Sequence, residues 1–446
     1  MAASMDMEFV MKTKIALAHV NANSHSCYTY LRPKQVDCLK ASTDSDCIGL
    51  LPTGYGKSLI FECLPYMSAS HSPRTVILIS PLNAIIEEQS RRLGARSVRL
   101  NPEFDCSLSS FISCEYLYIL SHPEHIMTKK LFAVFRGDIW QHKVSHIVVD
   151  EAHCVVQWGS DFRPEYRNLK DLRALFTKAH VLALTATGTK RTQQEISSHL
   201  LLTNPVIIAA SIDRPNIMFH VTKRLPNNRI EESFKEIFKP LIDELRSKQE
   251  CFPRTIVYSS LKWCGFAHEL SLMPTFDSDI DDISGLVAQF HASCTNKMKK
   301  EVIDGMQTMN CGIRLLFATE AYGMGADPKQ VRRIIHAGVP RTMETYIQEV
   351  GRCGRDGEES EAILYYNASD IAHNVKGMTE EMRKYCTTDE CRRVSLASHF
   401  GQEFPKDYII KHQCCDNCKL LCDCTICDSS VSLSSGCTSD PIVAGC

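Results

Sequence analysis

The stretch LLPTGYGKSLIF, residues 50–61, follows the apolar run CIG and leads into a helix-like pattern. A glycine-containing turn between a strand and a helix directs backbone N–H groups at one point, which favours a bound phosphate. In such a loop Lys57 is expected to reach the β- and γ-phosphates of a nucleotide, and Ser58 is expected to hold Mg²⁺. The other predicted contacts of this loop are Thr53, Gly54 and Gly56.

The loop departs from the strict phosphate-loop pattern, because Leu51 stands where a first glycine is usual. A glycine-rich turn with a surface lysine would look similar, so the loop needs a second signal. The stretch HIVVDEAHC, residues 146–154, supplies it as an apolar strand that ends in two carboxylates. Asp150 or its neighbour can coordinate Mg²⁺ while the other acid orients and deprotonates an attacking water, so we predict a nucleotide hydrolysis site with Asp150 and Glu151.

Short apolar runs of strand length alternate with helix-like stretches along most of the chain. The first series is CIGLLP, RTVILISP, YLYIL, HIVVDE and HVLALTAT, and the second is RTIVYSS, LVAQFHA, IRLLFATE, VRRIIHAGVP and EAILYY. Strands alternating with helices predict an α/β fold built on parallel sheets. We therefore predict the following segments: an N-terminal extension (1–24), two α/β domains (25–210 and 211–367), a helical cysteine-bearing subdomain (368–424) and a disordered tail (425–446).

The composition is that of an ordinary globular protein. The chain has 446 residues, 44% of them hydrophobic, and a net charge of −2, so the average charge does not indicate a nucleic-acid binder. The N-terminus carries Asp6 and Glu8 where a secretory signal would be basic and then apolar. No apolar run is long enough for a membrane span, and we expect no membrane partner. The lack of a recognisable secretory signal predicts a reducing intracellular compartment. There, clusters among the 22 cysteines are more typical of metal sites than of disulfides.

The cysteine cluster HQCCDNC, residues 412–418, predicts a structural zinc site. Zinc in such sites takes four thiolate or imidazole ligands. Cys414, Cys415 and Cys418 supply three, and Cys391, at the head of the helix-like CRRVSLASHF, is the predicted fourth. Nearby competitors for a ligand position are Cys386, His412, Cys422 and Cys424.

The motifs together resemble the RecQ family of DNA helicases. In chain order they are YTYLRPKQ, PTGYGKS, SPLNAIIEEQ, DEAHCVVQWGSDFRPEY, LTATGT, DRPNI, ATEAYGMGAD and QEVGRCGRDG. The likeness extends from about residue 25 to 420, and the zinc segment is similar to that of Werner-type members, which also read CCDNC. The resemblance implies two RecA-like domains with ATP between them.

The resemblance also implies roles for residues around the nucleotide. Tyr28 would stack on adenine, and Gln35 with Arg32 would read its edge. Thr185 and Thr187 would link the Mg²⁺ site to the domain interface. From the second domain, Arg352 and Arg355 would neutralise charge on the γ-phosphate, with Gln348 positioning their face.

The stretch HCVVQWGSDFRPEY carries the residues that would sense DNA. In RecQ relatives this loop couples DNA binding to ATP hydrolysis, and Trp158, Phe162 and Arg163 are the residues expected to contact single-stranded DNA. Val156 replaces the serine usual in this loop. Trp158 and Phe162 could instead be core residues.

The expected function is that of an ATP-dependent 3′→5′ DNA helicase that acts on single-stranded and partly duplex DNA in repair, recombination or replication. Its cofactors would be ATP, Mg²⁺ and Zn²⁺, and its location the nucleus. No winged-helix module follows Cys424 in this sequence, so a DNA-stimulated ATPase with weak unwinding is one alternative. An RNA helicase and a non-enzymatic DNA-binding adaptor are the others.

Overall fold

The computed structural model describes most of the chain. The described residues are 2–24, 27–67, 72–81, 83–105, 107, 109–157, 166, 168–273, 283–308, 312–323, 327–404 and 411–424. The predicted tail, 425–446, lies outside them. None of the described helices is long and apolar enough to cross a membrane.

The first α/β unit is built on a seven-stranded sheet in which all neighbouring strands run parallel. The strands are β1 (Cys47–Leu50), β2 (Thr75–Ile79), β3 (Ser97–Leu100), β4 (Tyr118–Ser121), β5 (Val144–Val149), β6 (His180–Thr185) and β7 (Val206–Ala209), in the spatial order β3-β4-β2-β5-β6-β1-β7. The helices are α1 (Ala2–Ser24), α2 (Pro33–Asp44), α3 (Lys57–Cys63), α4 (Asn83–Leu93), α5 (Ser109–Ile112), α6 (Pro123–Ile126), α7 (Lys129–Phe135), α8 (Asp138–Lys143), α9 (His153–Gln157), α10 (Leu169–Leu175) and α11 (Lys190–His199).

The second α/β unit repeats the plan with a six-stranded, wholly parallel sheet. Its strands are β8 (Ile217–Lys223), β9 (Thr255–Tyr258), β10 (Val287–Phe290), β11 (Leu315–Ala318), β12 (Arg333–Ala337) and β13 (Ser360–Tyr366), in the spatial order β10-β11-β9-β12-β13-β8. Its helices are α12 (Ile230–Lys248), α13 (Leu261–Leu272), α14 (Asn296–Gln307) and α15 (Met343–Val350). The predicted α/β fold with two parallel sheets is confirmed.

The apolar runs become strands because both faces of each sheet are covered. Successive residues of one strand enter different cores: Ile48 joins one cluster of the first sheet, and Cys47 joins the cluster on the opposite face. In the second sheet Ile256 and Val257 divide in the same way. Strands buried on both faces read as continuous apolar runs, as parallel sheets require.

The last segment is helical only in part. It contains α16 (Glu380–Thr387), α17 (Arg392–His399), α18 (Lys411–Cys414) and α19 (Asp416–Leu420). Residues 368–379, which the pattern predicted to be helical, instead form turns. Gly377 has φ of 78°, and the guanidinium of Arg383 donates to backbone carbonyls of this segment, including that of Ile371 at 3.0 Å. These side-chain bonds take the place of the bonds that a helix would make internally.

Candidate nucleotide and zinc sites

The predicted phosphate loop lies between β1 and α3, at the carboxyl edge of the first sheet. Gly54 and Gly56 have φ of 81° and 88°, in the left-handed region that favours glycine. A Cβ on Gly56 would lie 2.6 Å from Nε2 of Gln35, so a side chain at this position would displace the Gln35 amide. The loop therefore exposes backbone at the start of a helix, which is the arrangement that binds phosphate groups.

The acidic pair lies beside this loop because the strands are neighbours. Asp150 and Glu151 follow β5, and β5, β6 and β1 are adjacent in the sheet. Nζ of Lys57 is 3.6 Å from Oε1 of Glu151. Glu151 also has φ of 48°, an unusual backbone conformation for a residue other than glycine. Such strain is typical of functional sites.

The two carboxyls have different electrostatic environments. Burial and the adjacent Glu151 raise the pKa of Asp150 to about 6. Burial would also raise the pKa of Glu151, but Lys57, His153 and Arg352 together hold it below its ordinary value. Glu151 is therefore ionised at neutral pH and suited to orient water. A cation bound beside Asp150 would lower the pKa of that carboxyl and favour its charged form.

His153 connects the acidic pair to the end of the next strand. Its Nδ1 lies 3.4 Å from Oε2 of Glu151 and 2.9 Å from Oγ1 of Thr185. Thr185 in turn donates to the backbone carbonyl of Thr187 at 2.8 Å. All four residues are buried or nearly so. Sequence reasoning missed His153, although it is the last letter of the DEAH motif.

Gln89 on α4 is a second residue that sequence reasoning missed. Its Nε2 donates to Oγ of Ser58 at 3.1 Å, and its Oε1 is buried without a hydrogen-bond partner among the described residues. Gln89 therefore orients the hydroxyl that is predicted to hold Mg²⁺. It belongs to the SPLNAIIEEQ motif, but the contact joins residues far apart in sequence, so no local pattern reveals it.

Of the predicted adenine residues, Gln35 and Arg32 contact the phosphate loop, and Tyr28 contacts Arg92 of α4. Gln35 is buried; its Oε1 accepts from the backbone N–H of Arg32 at 2.7 Å, and its Nε2 donates to the carbonyl of Gly56 at 2.8 Å. Gln35 thus ties this motif to the phosphate loop. Arg32 donates to the carbonyl of Gly54 at 3.2 Å, and the hydroxyl of Tyr28 accepts from Arg92 at 2.6 Å.

Arg355 reaches the phosphate loop from the second unit. A Cβ on Gly54 would lie 3.5 Å from Cδ of Arg355, which shows how closely the arginine approaches the loop. Its Nη1 pairs with Asp327, its Nε donates to the carbonyl of Gly351 at 3.2 Å, and its Nη2 is buried without a hydrogen-bond partner among the described residues. Sequence reasoning missed Asp327, the last residue of ATEAYGMGAD.

The other two residues predicted in this motif also face the first unit. Arg352 is 2% exposed, lies over the ring of Tyr322 at 5.7 Å, and helps to lower the pKa of Glu151. Gln348 lines a small cavity between the units together with Thr187. The structure therefore brings Lys57, Glu151 and the two arginines into one centre.

The three predicted DNA-sensing residues cannot be placed in the same way. Trp158, Phe162 and Arg163 lie outside the described residues. The described residues before them end with α9 (His153–Gln157), and the next described residue is Tyr166, which is fully buried.

A broad groove lies across the carboxyl ends of β9, β10, β11 and β12 in the second unit. Its lining includes Tyr258, Ser260, His291, Thr319 and Arg341. Beneath it, Nε2 of His336 is 2.8 Å from Oε2 of Glu349, and both side chains are buried. The groove combines polar groups with aromatic rings at the sheet edge where α/β proteins bind ligands.

The four predicted zinc ligands come together. The Sγ atoms of Cys391, Cys414, Cys415 and Cys418 all lie within 4.8 Å of one another, and those of Cys391 and Cys414 are 3.5 Å apart. Zn–S bonds of about 2.3 Å in a tetrahedron separate sulfurs by about 3.8 Å, so the four thiols fit Zn²⁺. Zinc binds cysteine as the thiolate, so loading this site would release protons from the thiols.

The competitors for this site are placed elsewhere. Cys386 is buried in the core of the second unit. The ligand atoms of His412, Cys422 and Cys424 form a separate group, within 4.8 Å of one another.

The cysteine segment is anchored to the second sheet and to the connection between the sheets. Phe219 of β8 pairs with Cys415 in an isolated parallel bridge. The guanidinium of Arg392 donates to the carboxylate of Asp416 at 3.0 and 3.2 Å, and Asp416 accepts from the backbone N–H of Val221 at 2.9 Å. Arg393 pairs with Asp213, which precedes the second sheet. Through Arg393 the segment therefore contacts the chain that links the two units.

Three protein families match successive parts of the chain. The family described as DEAD/DEAH box helicase matches residues 32–196. The helicase conserved C-terminal domain matches residues 237–357. The RecQ zinc-binding family matches residues 329–419, which include all four cysteines of the zinc group.

Two solved helicase structures share the fold. The helicase MrfA bound to DNA superposes with a TM-score of 0.61 at 16% identity, over 80% of this chain and 51% of that one. Yeast Dbp5 bound to RNA and ADP BeF3 superposes with a TM-score of 0.54 at 14% identity, over 84% of this chain and 93% of that one. At such identities the likeness concerns the fold alone, and it confirms the two RecA-like domains.

Similar proteins occur in animals, bacteria and viruses. The RecQ-like DNA helicase BLM of Xenopus laevis is 29% identical over 87% of this chain and 29% of its own length. The ATP-dependent DNA helicase RecQ of Haemophilus influenzae is 29% identical over 89% of this chain and 62% of its own. A mimivirus protein provisionally named an ATP-dependent RNA helicase is 30% identical over 88% of this chain and 70% of its own.

The three matched families cover the two parallel-sheet units and the four-cysteine group described above. This chain spans about three tenths of the length of the Xenopus relative and about six tenths of that of the Haemophilus one. The matched region carries the helicase motifs and the zinc segment. The chain belongs to the RecQ family of helicases.

Proposed function

We propose that this chain is an ATP-driven DNA helicase. The observation that carries the proposal is the approach of Arg355 in the second unit to Gly54 in the phosphate loop of the first. A centre divided between two domains can couple hydrolysis to their relative movement. The charge of the γ-phosphate attracts the arginine of the second unit, and release of the phosphate after hydrolysis removes this attraction.

Within this centre the residues of the first unit hold ATP and its metal. Lys57 and the loop backbone bind phosphate, and Ser58, oriented by Gln89, holds Mg²⁺ together with Asp150. Mg²⁺ supplies charge neutralisation on the phosphates when bound. Glu151, ionised and next to His153, orients the attacking water and accepts its proton. Tyr28 with Arg32 forms the adenine side, and Gln35 transmits nucleotide binding to the loop.

The second unit supplies positive charge that neutralises the γ-phosphate during hydrolysis. Arg355 has an Nη2 without a partner among the described residues, so this N–H is free to donate to a phosphate oxygen. Arg352 lies beside Glu151, and Gln348 lines the cavity between the units with Thr187. Thr185 and Thr187 then link the acidic pair to this interface.

DNA is the proposed substrate. The Xenopus and Haemophilus relatives are named DNA helicases. The groove at the carboxyl ends of the second sheet has polar groups, including Ser260, Thr319 and Arg341, that suit the backbone of a single strand. Trp158 directly follows α9 in the sequence, and α9 begins at His153 beside the acidic pair, which supports a role of Trp158, Phe162 and Arg163 in coupling. The mimivirus relative makes RNA the second candidate substrate.

The remaining assignments belong to the same proposal. The first motor domain spans residues 25–210, the second 211–367 and the zinc subdomain 368–424. Movement is 3′→5′, and the task is strand separation in repair, recombination or replication, which places the protein in the nucleus. Cys391, Cys414, Cys415 and Cys418 hold the structural Zn²⁺.

The test is ATP hydrolysis measured with no nucleic acid, with single-stranded DNA and with RNA of the same sequence. We expect DNA to raise kcat above the basal rate, and RNA to raise it much less. Stimulation by RNA but not by DNA would show that RNA, and not DNA, is the substrate. Equal hydrolysis in all three conditions would overturn nucleic-acid coupling. The Lys57→Ala variant serves as the control for contaminating ATPases.

A further inference from the structure

A second group of metal-ligating side chains lies next to the zinc cysteines. The residues are His412, Cys422 and Cys424, and their ligand atoms all lie within 4.8 Å of one another. Nδ1 of His412 is 3.1 Å from Sγ of Cys424 and 3.7 Å from Sγ of Cys422, and the two sulfurs are 3.4 Å apart. Each of the three residues is partly exposed, so the group is open to ions from solution.

These distances are close to those of ligands that share one ion. Zinc bonds of about 2.3 Å to sulfur and about 2.0 Å to imidazole place neighbouring ligand atoms about 3.5 to 3.8 Å apart. Each thiol must lose its proton when it binds, and the imidazole binds as the neutral ring. Two thiolates with one imidazole favour Zn²⁺ or another thiophilic ion over Mg²⁺ and Ca²⁺.

We propose that His412, Cys422 and Cys424 form a second Zn²⁺ site, separate from the four-cysteine site. Three protein ligands leave one tetrahedral position for water or another exchangeable ligand. This site is therefore more labile than the closed four-cysteine site. The proposal concerns the fold of the cysteine segment and does not depend on helicase activity.

The second site also closes a loop around the first. His412 lies in α18, and Cys422 and Cys424 follow α19, so an ion bound there joins the two ends of the segment that carries Cys414, Cys415 and Cys418. The side chain of Lys411 spans the same ends through a 3.3 Å bond to the carbonyl of Leu421. Occupation of the second site should therefore slow the loss of Zn²⁺ from the first.

The experiment is metal analysis of the purified, reduced chain after loading with Zn²⁺ and removal of the free ion. The variant combines His412→Ala, Cys422→Ser and Cys424→Ser, and Cys251→Ser is the matched control because Cys251 is an exposed thiol outside both groups. We expect two equivalents of zinc per chain in the wild type and the control, and one in the triple variant. Circular dichroism checks that the triple variant is folded.

Zinc release to a chelator provides the second readout. The wild type should release zinc in a fast and a slow phase, and the triple variant should show only the slow one, accelerated about 10-fold because the support around the first site is lost. Equal zinc content in the wild type and the triple variant would overturn the proposal. Loss of all zinc from a folded triple variant would show that the two groups hold one ion, and binding of Cu⁺ but not Zn²⁺ would overturn the zinc assignment.

Discussion

The ammonium of Lys57 lies 3.6 Å from Oε1 of Glu151, so the cation proposed to bind phosphate faces the acid proposed to activate water. Bound phosphate would compete with Glu151 for this ammonium. Nucleotide binding would then remove the Lys57 ammonium from Glu151 and raise the pKa of this carboxyl. Glu151 would become a stronger base once ATP is bound.

Removing the Lys57 ammonium should abolish most hydrolysis. We expect Lys57→Ala to lower kcat for ATP by at least about 100-fold, because a preorganised charge at the phosphates is lost. Steady-state ATPase assays with single-stranded DNA measure this. Lys297→Ala, which removes an 86% exposed ammonium in the second unit, should leave the rate unchanged. A Lys57→Ala chain that hydrolyses ATP at the normal rate would show that the site lies elsewhere.

Arg355 should act on the transition state more than on nucleotide binding. We expect Arg355→Ala to reduce kcat by about 1000-fold or more while ATP still binds, because the other phosphate contacts lie in the first unit. Fluorescent-nucleotide titration and ATPase assays separate the two effects. Arg332→Ala removes a nearby, partly exposed guanidinium paired with Asp356 and is the matched control. An equal loss in both variants would point to a structural effect.

Arg393 should stabilise the connection between the sheets. Its side chain is 1% exposed, pairs with Asp213, and donates to the carbonyls of Arg214 at 2.9 Å and Pro215 at 3.2 Å. Arg393→Met leaves these acceptors unpaired at a cost of about 3 kcal/mol, and we expect Tm to fall by about 6 to 12 °C. Differential scanning calorimetry measures this. Arg191→Ala removes an exposed pair and should shift Tm very little.

The sequence predicted the inner strands of both sheets and the edge strand β10, and it missed the edge strands β3, β7 and β8. Every residue of β2 is buried, and its run TVILI is plain in the sequence. Three of the four residues of β7 are exposed, and β3 is only partly buried, so neither shows a continuous apolar run to mark it. Edge strands form because a neighbour offers hydrogen bonds, and that neighbour is distant in sequence.

Local motifs likewise predicted the residues of the nucleotide site. The residues that contact them could not be predicted, because the fold brings them together from distant parts of the chain. Lys57, Glu151 and Arg355 were predicted from the phosphate loop, the acidic pair and the arginine motif, and the structure brings them together. Gln89 and Asp327 contact site residues that are 31 and 28 positions away, and no spacing rule covers such contacts. For the zinc group, the pattern left His412 as a competitor, and only the fold separates it from Cys391.

Glu62 should make stability depend on pH. Its side chain is fully buried, and burial raises its pKa from 4.5 to about 7 despite the guanidinium of Arg92 at 3.0 Å. The folded chain therefore holds a proton that the unfolded chain releases at lower pH. The stabilising contribution of Glu62 is complete below about pH 4.5 and is lost as the pH rises through about 7.

The matched variant for this prediction is Glu62→Gln, which keeps the shape and does not titrate. Between pH 4.5 and 7.5 the free energy of unfolding of the wild type should fall relative to the variant by up to about 3 kcal/mol. Urea denaturation at a series of pH values measures the difference. Parallel curves for the two chains would contradict the raised pKa.

The four-cysteine site should hold the segment around α17 to α19 and not the nucleotide centre. We expect Cys391→Ser to lower the zinc content and to expose this segment to protease, because the zinc ligands join α17 to α18 and α19. Affinity for ATP should change little, since the phosphate loop lies in the first unit. Limited proteolysis and nucleotide titration test the two halves. A loss of ATP binding with the segment intact would contradict this division.

Strand separation tests the central claim most directly. Wild-type chain with ATP is mixed with duplexes that carry a 3′ single-stranded tail, a 5′ tail or no tail, and the released strand is measured over time. The account predicts release from the 3′-tailed duplex alone, abolished by Lys57→Ala and by Arg355→Ala. ATP hydrolysis that is stimulated by DNA without release of any strand would contradict the helicase assignment and leave a DNA-stimulated ATPase.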